Sequence, residues 1–356
     1  MRSITVFVLL ICASQSRILL PTIRHYFDKL TESNDDSFIT SLYEYYQMQY
    51  HPNRPMARSD AEKYIRIESF KENFKFITET NNNEENSFKL GLNKFTDWTS
   101  NELDQHIGLI PDKFTHVSSR YDFDPLPDTE KYFPSYNYNY DAWDWTAHHV
   151  ISRPKNQGRC GSCYAFAFAG MLEANYAIRQ GTTEDFSEQQ FVDCAALFGC
   201  RGSNFIPCFN YMKSKHWFTQ LTTHYPYTAV VQSCPATHLN GIYLGEKLYK
   251  RVPMNDEEIL KVLLRKYGPI YISLNKFNAY SQGIFDVSGC SDQPRQNHAM
   301  LLVGYGHDRI IGLDYWKVKN SWGHTWGENG FIRIRRGVNM CGIAADAYYI
   351  GSAPFI

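Results

Sequence analysis

Asn156-Gln157-Gly158-Arg159-Cys160-Gly161-Ser162-Cys163-Tyr164-Ala165-Phe166 is the stretch that decides the fold. It sets Cys163 at the opening of a helical pattern that runs over residues 163–180 and stops at Gly181. A thiol in that place feels the positive end of the helix dipole, which favours thiolate. The two glycines and the serine ahead of it let the backbone approach a bound carbonyl closely. Gln157 carries a side-chain N–H that, with the backbone N–H of Cys163, suits a developing oxyanion. Taken alone, Cys160-x-x-Cys163 also fits a redox pair or half of a zinc site. The chain holds no second CxxC, and no βαβ pattern precedes this one.

Two later segments offer partners for such a thiol. Gln296-Asn297-His298-Ala299-Met300-Leu301-Leu302-Val303 opens an apolar strand with a histidine. An imidazole beside a thiolate forms an ion pair that works below neutral pH. Lys319-Asn320-Ser321-Trp322-Gly323 supplies an amide oxygen to orient the imidazole and an indole to shield that bond from water. Either segment by itself reads as a strand end or a turn.

The rest of the chain frames these segments. Arg2, the apolar run Ile4–Cys12 and the small residues after it read as a signal peptide over residues 1–16, too short to span a bilayer. With 356 residues, 43% of them hydrophobic, there is material for an enzyme core and an accessory segment. A net charge of -1 leaves no nucleic-acid footprint. Up to residue 139 there are 15 Lys+Arg against 20 Asp+Glu, and beyond it 21 against 17, so an acidic front piece precedes a basic back piece. Of nine cysteines, Cys12 leaves with the signal; the other eight lie in the back piece. The secretory route favours disulfides among them, in a pairing that spacing leaves open.

Residues 62–81 form the clearest helix of the front piece, with Ile65, Phe70, Phe74 and Ile77 at helical intervals. Residues 101–143, rich in Pro and Tyr/Asn, read as an extended linker and processing zone. In the back piece Ser187 with Gln190, and Asn255 with Glu258, mark two further helix starts, the second helix ending before Gly268-Pro269. Strand texture follows at 270–274, 299–303, 315–318 and 331–334. Helices first and strands later predict an α+β enzyme of two packed halves with a cleft between them.

Taken together the segments resemble the papain/cathepsin L family of cysteine peptidases, in which Gln, Cys, His and Asn follow in that order. His298 lies 135 residues past Cys163 and Asn320 lies 157 past it, close to the family's spacing. The resemblance implies Cys163 as nucleophile, His298 as general acid/base, Asn320 as orienter and Gln157 as oxyanion donor, with no metal or organic cofactor. It reaches the front piece too. Glu62, Arg66, Phe70, Asn73, Ile77 and Asn81 match the helical proregion signature, and Gly91-x-Asn93-x-Phe95-x-Asp97 matches its second motif over 91–97. The implied organisation is a signal peptide, 1–16; a mainly helical inhibitory propeptide, 17–138; and a papain-like peptidase domain, 139–356, with a helical left domain and a β-barrel-like right domain. The implied disulfides are Cys160–Cys200, Cys194–Cys234 and Cys290–Cys341, leaving Cys163 for chemistry and Cys208 as a buried, inert thiol.

Three departures and one position bear on specificity. Tyr164 stands where relatives carry Trp, Ser203 follows Gly202 where relatives carry a second Gly, and Asn297 precedes His298. In the family the backbone at Gly202 and Ser203 pairs with the substrate. The residue five past the last disulfide cysteine, Asp346, lies at the floor of the pocket for the substrate's P2 side chain, with Ser273 and Ala299 as small neighbours. A carboxylate there is expected to admit basic as well as hydrophobic residues. No long insertion between Cys200 and Cys234 blocks the cleft, which implies an endopeptidase. The expected partners are peptide and protein substrates, its own propeptide and cystatin-type inhibitors, with the enzyme monomeric and in the lysosome, an endosomal vacuole or outside the cell. No nucleic acid and, after signal removal, no membrane is expected. Acid is expected to loosen the proregion by protonating carboxylates, Asp97 among them. The rival reading is a catalytically silent homologue that binds peptides or is structural.

Overall fold

The computed structural model describes residues 36–51, 59–110, 142–196, 198–235, 241–245, 247–275, 278–287, 290 and 296–352. The expected signal peptide and most of the expected linker, residues 111–141, lie outside the described residues. The chain divides into two compact units, Met1–Lys75 and Phe76–Ile356.

The first unit holds helix α1 (Asp36–Tyr50) and the opening turns of α2 (Asp60–Asn82). Phe70 is fully buried, its ring 5.4 Å from Tyr43 and 4.9 Å from Tyr46, so tilted aromatic pairs join the two helices. The helix expected over 62–81 is present and one or two residues longer at each end.

The second unit opens with the last two turns of α2, then β1 (Phe88–Leu90) and α3 (Ser100–His106). Asn81 clamps β1 from both sides: its Nδ2 donates to the Leu90 carbonyl at 2.9 Å and its Oδ1 accepts the Leu90 N–H at 2.8 Å. The 91–97 motif is a turn stapled to the back piece. Asn93 Oδ1 accepts the Phe95 N–H at 2.9 Å, and its Nδ2 donates to the Asn278 carbonyl at 2.7 Å. A Thr99–Glu102 capping box then starts α3.

Among the described residues a nine-stranded sheet runs β1-β7-β10-β9-β8-β6-β11-β5, with β2 (Trp143–Asp144) on β8. The strands are β5 (Lys247–Arg251), β6 (Ile270–Leu274), β7 (Tyr280–Phe285), β8 (His298–Asp308), β9 (Leu313–Lys319), β10 (Phe331–Arg335) and β11 (Asp346–Ser352). A separate pair joins β3 (Phe218–Thr219) to β4 (Ile242–Tyr243). Residues 299–303 are apolar without alternation because both faces of β8 are covered. Ala299, Leu301 and Val303 join the apolar cluster of α4 (Cys163–Gln180) and α5 (Phe205–Ser214). Met300 and Leu302 join the cluster of α6 (Glu257–Tyr267). The two predicted halves are these two clusters on opposite faces of one sheet.

Two expected helix starts need correction. The cap of α6 is Asp256, whose Oδ1 accepts the Ile259 N–H at 2.9 Å; Asn255 sits one residue earlier at φ 60°. Ser187 Oγ accepts the Gln190 N–H, but its own N–H goes to the Gln220 carbonyl, so its capping box is half made; the expected helix does follow, wound over Phe191–Ala195 as a π-helix. The three disulfides join Cys160–Cys200, Cys194–Cys234 and Cys290–Cys341, with Cys163 and Cys208 unbridged and buried.

A buried ionic knot ties α4 to the loops around it. Lys155 Nζ lies 2.6 Å from Glu173 and 2.8 Å from Glu188, both carboxylates almost wholly buried. Burial pulls the lysine's pKa down, and the two carboxylates more than restore it. Lys155→Met leaves two buried carboxylates without their cation, which costs about 3–5 kcal/mol. Urea unfolding of the chain carrying Cys163→Ala, which cannot digest itself, measures that loss; an unchanged midpoint contradicts the role of the knot.

Candidate active site

Cys163 is the first residue of α4, where backbone N–H groups lack intrahelical acceptors. Its Sγ accepts the Ala299 N–H at 3.4 Å, so the sulfur sits at the head of β8 next to His298. His298 is fully buried, and its Nε2 lies 2.9 Å from Asn320 Oδ1, to which it donates. The Trp322 ring lies over the imidazole at 4.7 Å and 24° and keeps water from that bond. Nδ1 of His298 has no hydrogen-bond partner among the described residues and is the nitrogen left for the thiol. Gln157 is turned by Ser321: the serine hydroxyl donates to Gln157 Oε1 at 2.6 Å, which aims Nε2 at the carbonyls of Cys160 and His106, 2.9 and 3.0 Å away.

The four residues expected to act together are therefore assembled, but in a covered state. Burial pushes the Cys163 thiol up to about 11, against the backbone N–H bonds from Ala299, Gly108 and Tyr164 that lower it. Burial also pushes His298 down to about 4, partly offset by the bond to Asn320. Burial disfavours the charged form of each group, so this covered state works against the thiolate–imidazolium pair expected from the sequence.

The cover is the chain's own backbone. Leu109 bridges Ser203 in parallel register; the Ser203 N–H donates to the Gly108 carbonyl at 2.8 Å and the Ile110 N–H donates to the Ser203 carbonyl at 2.9 Å. The Leu109 N–H reaches the Asn297 carbonyl at 3.3 Å. Gly108 passes so close to the loop before the nucleophile that a Cβ on it would lie 1.7 Å from the Gly161 carbonyl oxygen. Gly202, at φ 111°, allows the same approach from the other side, since a Cβ there would lie 2.8 Å from the Gly108 oxygen.

Ala299, Ser273 and Asp346 form one cross-strand row on β8, β6 and β11. Asp346 is not the open carboxylate expected: its Oδ2 accepts from the Ser273 hydroxyl at 2.8 Å, and its Oδ1 is 3.1 Å from the Arg251 guanidinium. Tyr164 uses its hydroxyl, donating to the Gly199 carbonyl at 2.9 Å, and so holds the loop that carries Cys200 and Gly202. Sequence reasoning missed Tyr227, whose hydroxyl donates to the Gln157 carbonyl at 2.8 Å and meets Ser162 Oγ at 2.6 Å. It also missed Gly108 and His106. A lone glycine and a lone histidine after a capped helix were the only signals.

A thiol at a helix N-terminus, an imidazole held by an amide and a side-chain amide N–H turned inward are parts of acyl transfer through sulfur. The chain matches the family described as Papain family cysteine protease over residues 140–350, and the Cathepsin propeptide inhibitor domain (I29) over residues 43–103. It is 32% identical to Cathepsin L of Sarcophaga peregrina over 325 residues, covering 85% of this chain and 90% of that one. It is 35% identical to Ananain of Ananas comosus over 301 residues, covering 82% and 83%. The solved digestive procathepsin L2 proteinase from Tenebrio molitor larval midgut superposes with a TM-score of 0.74 at 29% identity, over 88% of this chain and 99% of that one. This chain belongs to the papain family of cysteine proteases, and it is made as a zymogen with its propeptide inhibitor domain in front.

The close approach at Gly108 gives a direct check. Gly108→Ala in the Cys163→Ala chain forces the covering strand off Gly161, at about 1–3 kcal/mol for such overpacking. Amide hydrogen exchange at Ser203 and Ile110 is then expected to quicken by roughly 5- to 150-fold. Unchanged exchange means the strand does not depend on this contact.

Proposed function

We propose that Cys163, His298, Asn320 and Gln157 hydrolyse internal peptide bonds once the front piece is cut away. The observation that carries this is the geometry at the sulfur: Cys163 on the helix end, His298 tied to Asn320 under Trp322, and Gln157 turned inward by Ser321. In that role His298 takes the thiol proton and the sulfur adds to the substrate carbonyl. Gln157 Nε2 and the Cys163 N–H hold the oxyanion. The amine leaves with the proton from His298, and water, activated by the same ring, then hydrolyses the thioester. Ser203 supplies backbone pairing for the substrate, as it does for residues 108–110, and Gly202 leaves room for the approach. On this reading the enzyme acts as a monomer, and removal of the front piece exposes the cleft to peptide substrates and to cystatin-type inhibitors. The silent-homologue reading loses its support, because Tyr164 is satisfied and Ser203 pairs through its backbone.

The same reading places residues 1–16 as signal and 17–138 as the removable inhibitor, and routes the enzyme through the secretory pathway to an acidic compartment or outside the cell. His106 supports acid release. Its ring is almost fully buried between Phe95, Trp98 and Trp322, with centroids at 5.2, 5.1 and 6.0 Å. Neither ring nitrogen has a hydrogen-bond partner among the described residues. Burial, then Lys94, His298 and Arg159, lower its pKa from 6.5 to about 3. Asp97, the carboxylate expected to act in acid, is also fully buried.

The sign follows from where the proton binds. Docked His106 must stay neutral, whereas released His106 titrates near 6.5, so the docked state is fully favoured above that pH and loses ground down to about 3. Activation of the full chain should therefore speed up as pH falls below 6.5, by at most about tenfold per pH unit from this group. His106→Phe keeps the ring packing and should flatten the pH dependence of activation between pH 6.5 and 4. An unchanged slope removes His106 from the account, and failure of the parent chain to cleave end-blocked peptides after acid treatment removes the proposed function.

A further inference from the structure

Cross-strand partners project from the same face of a sheet. Ala299 pairs with Ser273 and Ser273 with Asp346, so the three side chains line one row on the face that carries Tyr271, Leu301 and Tyr348 against α4. The row starts at the sulfur, since the Ala299 N–H touches Cys163 Sγ, and Asp346 lies two strands away, about 10 Å at ordinary strand spacing. The peptide segment seated in the cleft buries one side chain in the same apolar cluster, that of Leu109, which is 7% exposed. An apolar side chain next to the reacting centre is thus what the chain itself supplies.

The acid at the far end of the row is already neutralised from within. Arg251, on the edge strand β5, places its guanidinium 3.1 Å from Asp346 Oδ1, donates to the Ala345 carbonyl at 3.3 Å and lies 5.9 Å over the Tyr348 ring. Ser273 Oγ donates to the other carboxylate oxygen at 2.8 Å. The two charged side chains are nearly buried, at 14% and 12% exposure, so water screens their attraction weakly.

We propose that Arg251 is a specificity-determining residue: by holding Asp346 it makes this pocket select an uncharged apolar side chain and turn away a basic one. A substrate arginine or lysine entering the row meets a second cation over a single carboxylate, and that like-charge contact is the repulsive element. Without Arg251 the carboxylate is left unpaired, and a basic side chain of the substrate satisfies it. This rests on the reading of the cleft as a peptidase site.

The test uses the full-length chain after acid activation and end-blocked fluorogenic peptides that differ only at the second residue before the cut bond: Leu, Arg or Glu. The parent is expected to prefer Leu over Arg. Arg251→Gln should raise kcat/KM for Arg relative to Leu by about 10- to 150-fold, the range of a charge-assisted hydrogen bond. Adding Asp346→Asn to that variant should cancel the gain. If Arg251→Gln does not fold, Asp346→Asn alone serves, because it frees Arg251 and should raise the rate for Glu. The proposal is overturned if the parent already accepts Arg as readily as Leu and loses this with Asp346→Asn. It is overturned equally if none of these variants moves the Arg, Leu or Glu ratios while the peptides are still cut. Failure of every variant and the parent to cut any peptide overturns it through the peptidase reading instead.

Discussion

The contact between Gly108 and Gly161 is the constraint on which the rest depends. Two backbones can meet this closely only where neither carries a Cβ. That approach brings the Gly108 N–H onto the Cys163 sulfur and lets Ser203 accept residues 108–110 as an added strand. Everything upstream serves it: the Asn81 clamp on β1, the Asn93 turn and the capping box of α3 each fix the path of the chain before residue 107. A strand held by main-chain hydrogen bonds needs little side-chain complementarity, so the block lies mainly in the backbone.

Covering the site also changes its chemistry. The thiol and the imidazole share a dry environment in which ionisation of either is penalised by burial. When the strand leaves, water returns, the helix end again faces an exposed sulfur, and the charge-separated pair becomes accessible. The segment therefore acts twice, by occupying the backbone groups of Ser203 and by burying the Cys163 thiol, which disfavours its ionisation. The orienting bond between His298 and Asn320 survives in the covered state, protected by Trp322, so the base is already aligned before release.

Much of this was legible in the sequence because the decisive residues sit in short, stiff local contexts. Cys163 opens a helix, His298 opens a buried strand and Asn320 precedes a shielding indole; each context is bland alone, and the expected roles came from the family resemblance of the segments taken together. The disulfides followed from the family resemblance and are those observed. What stayed hidden depends on register between distant segments. Tyr227 reaches Gln157 across 70 positions, Arg251 reaches Asp346 across 95, and neither loop nor edge strand announces such a partner. The cap of α6 was misplaced by one residue because Asn255 and Asp256 are both good caps, and the backbone bond from Asn255 to Ala344 decides between them. Asp346 lies opposite Ser273, and its ion pair with Arg251 on β5 has no local signal in the sequence.

The chain's own backbone, over residues 108–110, covers Cys163. The most direct measurement is a mass-spectrometric time course of Cys163 alkylation at neutral pH, in the intact chain and again after the front piece has been cut off and removed. The intact chain is predicted to resist modification at Cys163, and the cut chain to be modified rapidly at that residue. Equal rates before and after removal contradict the account.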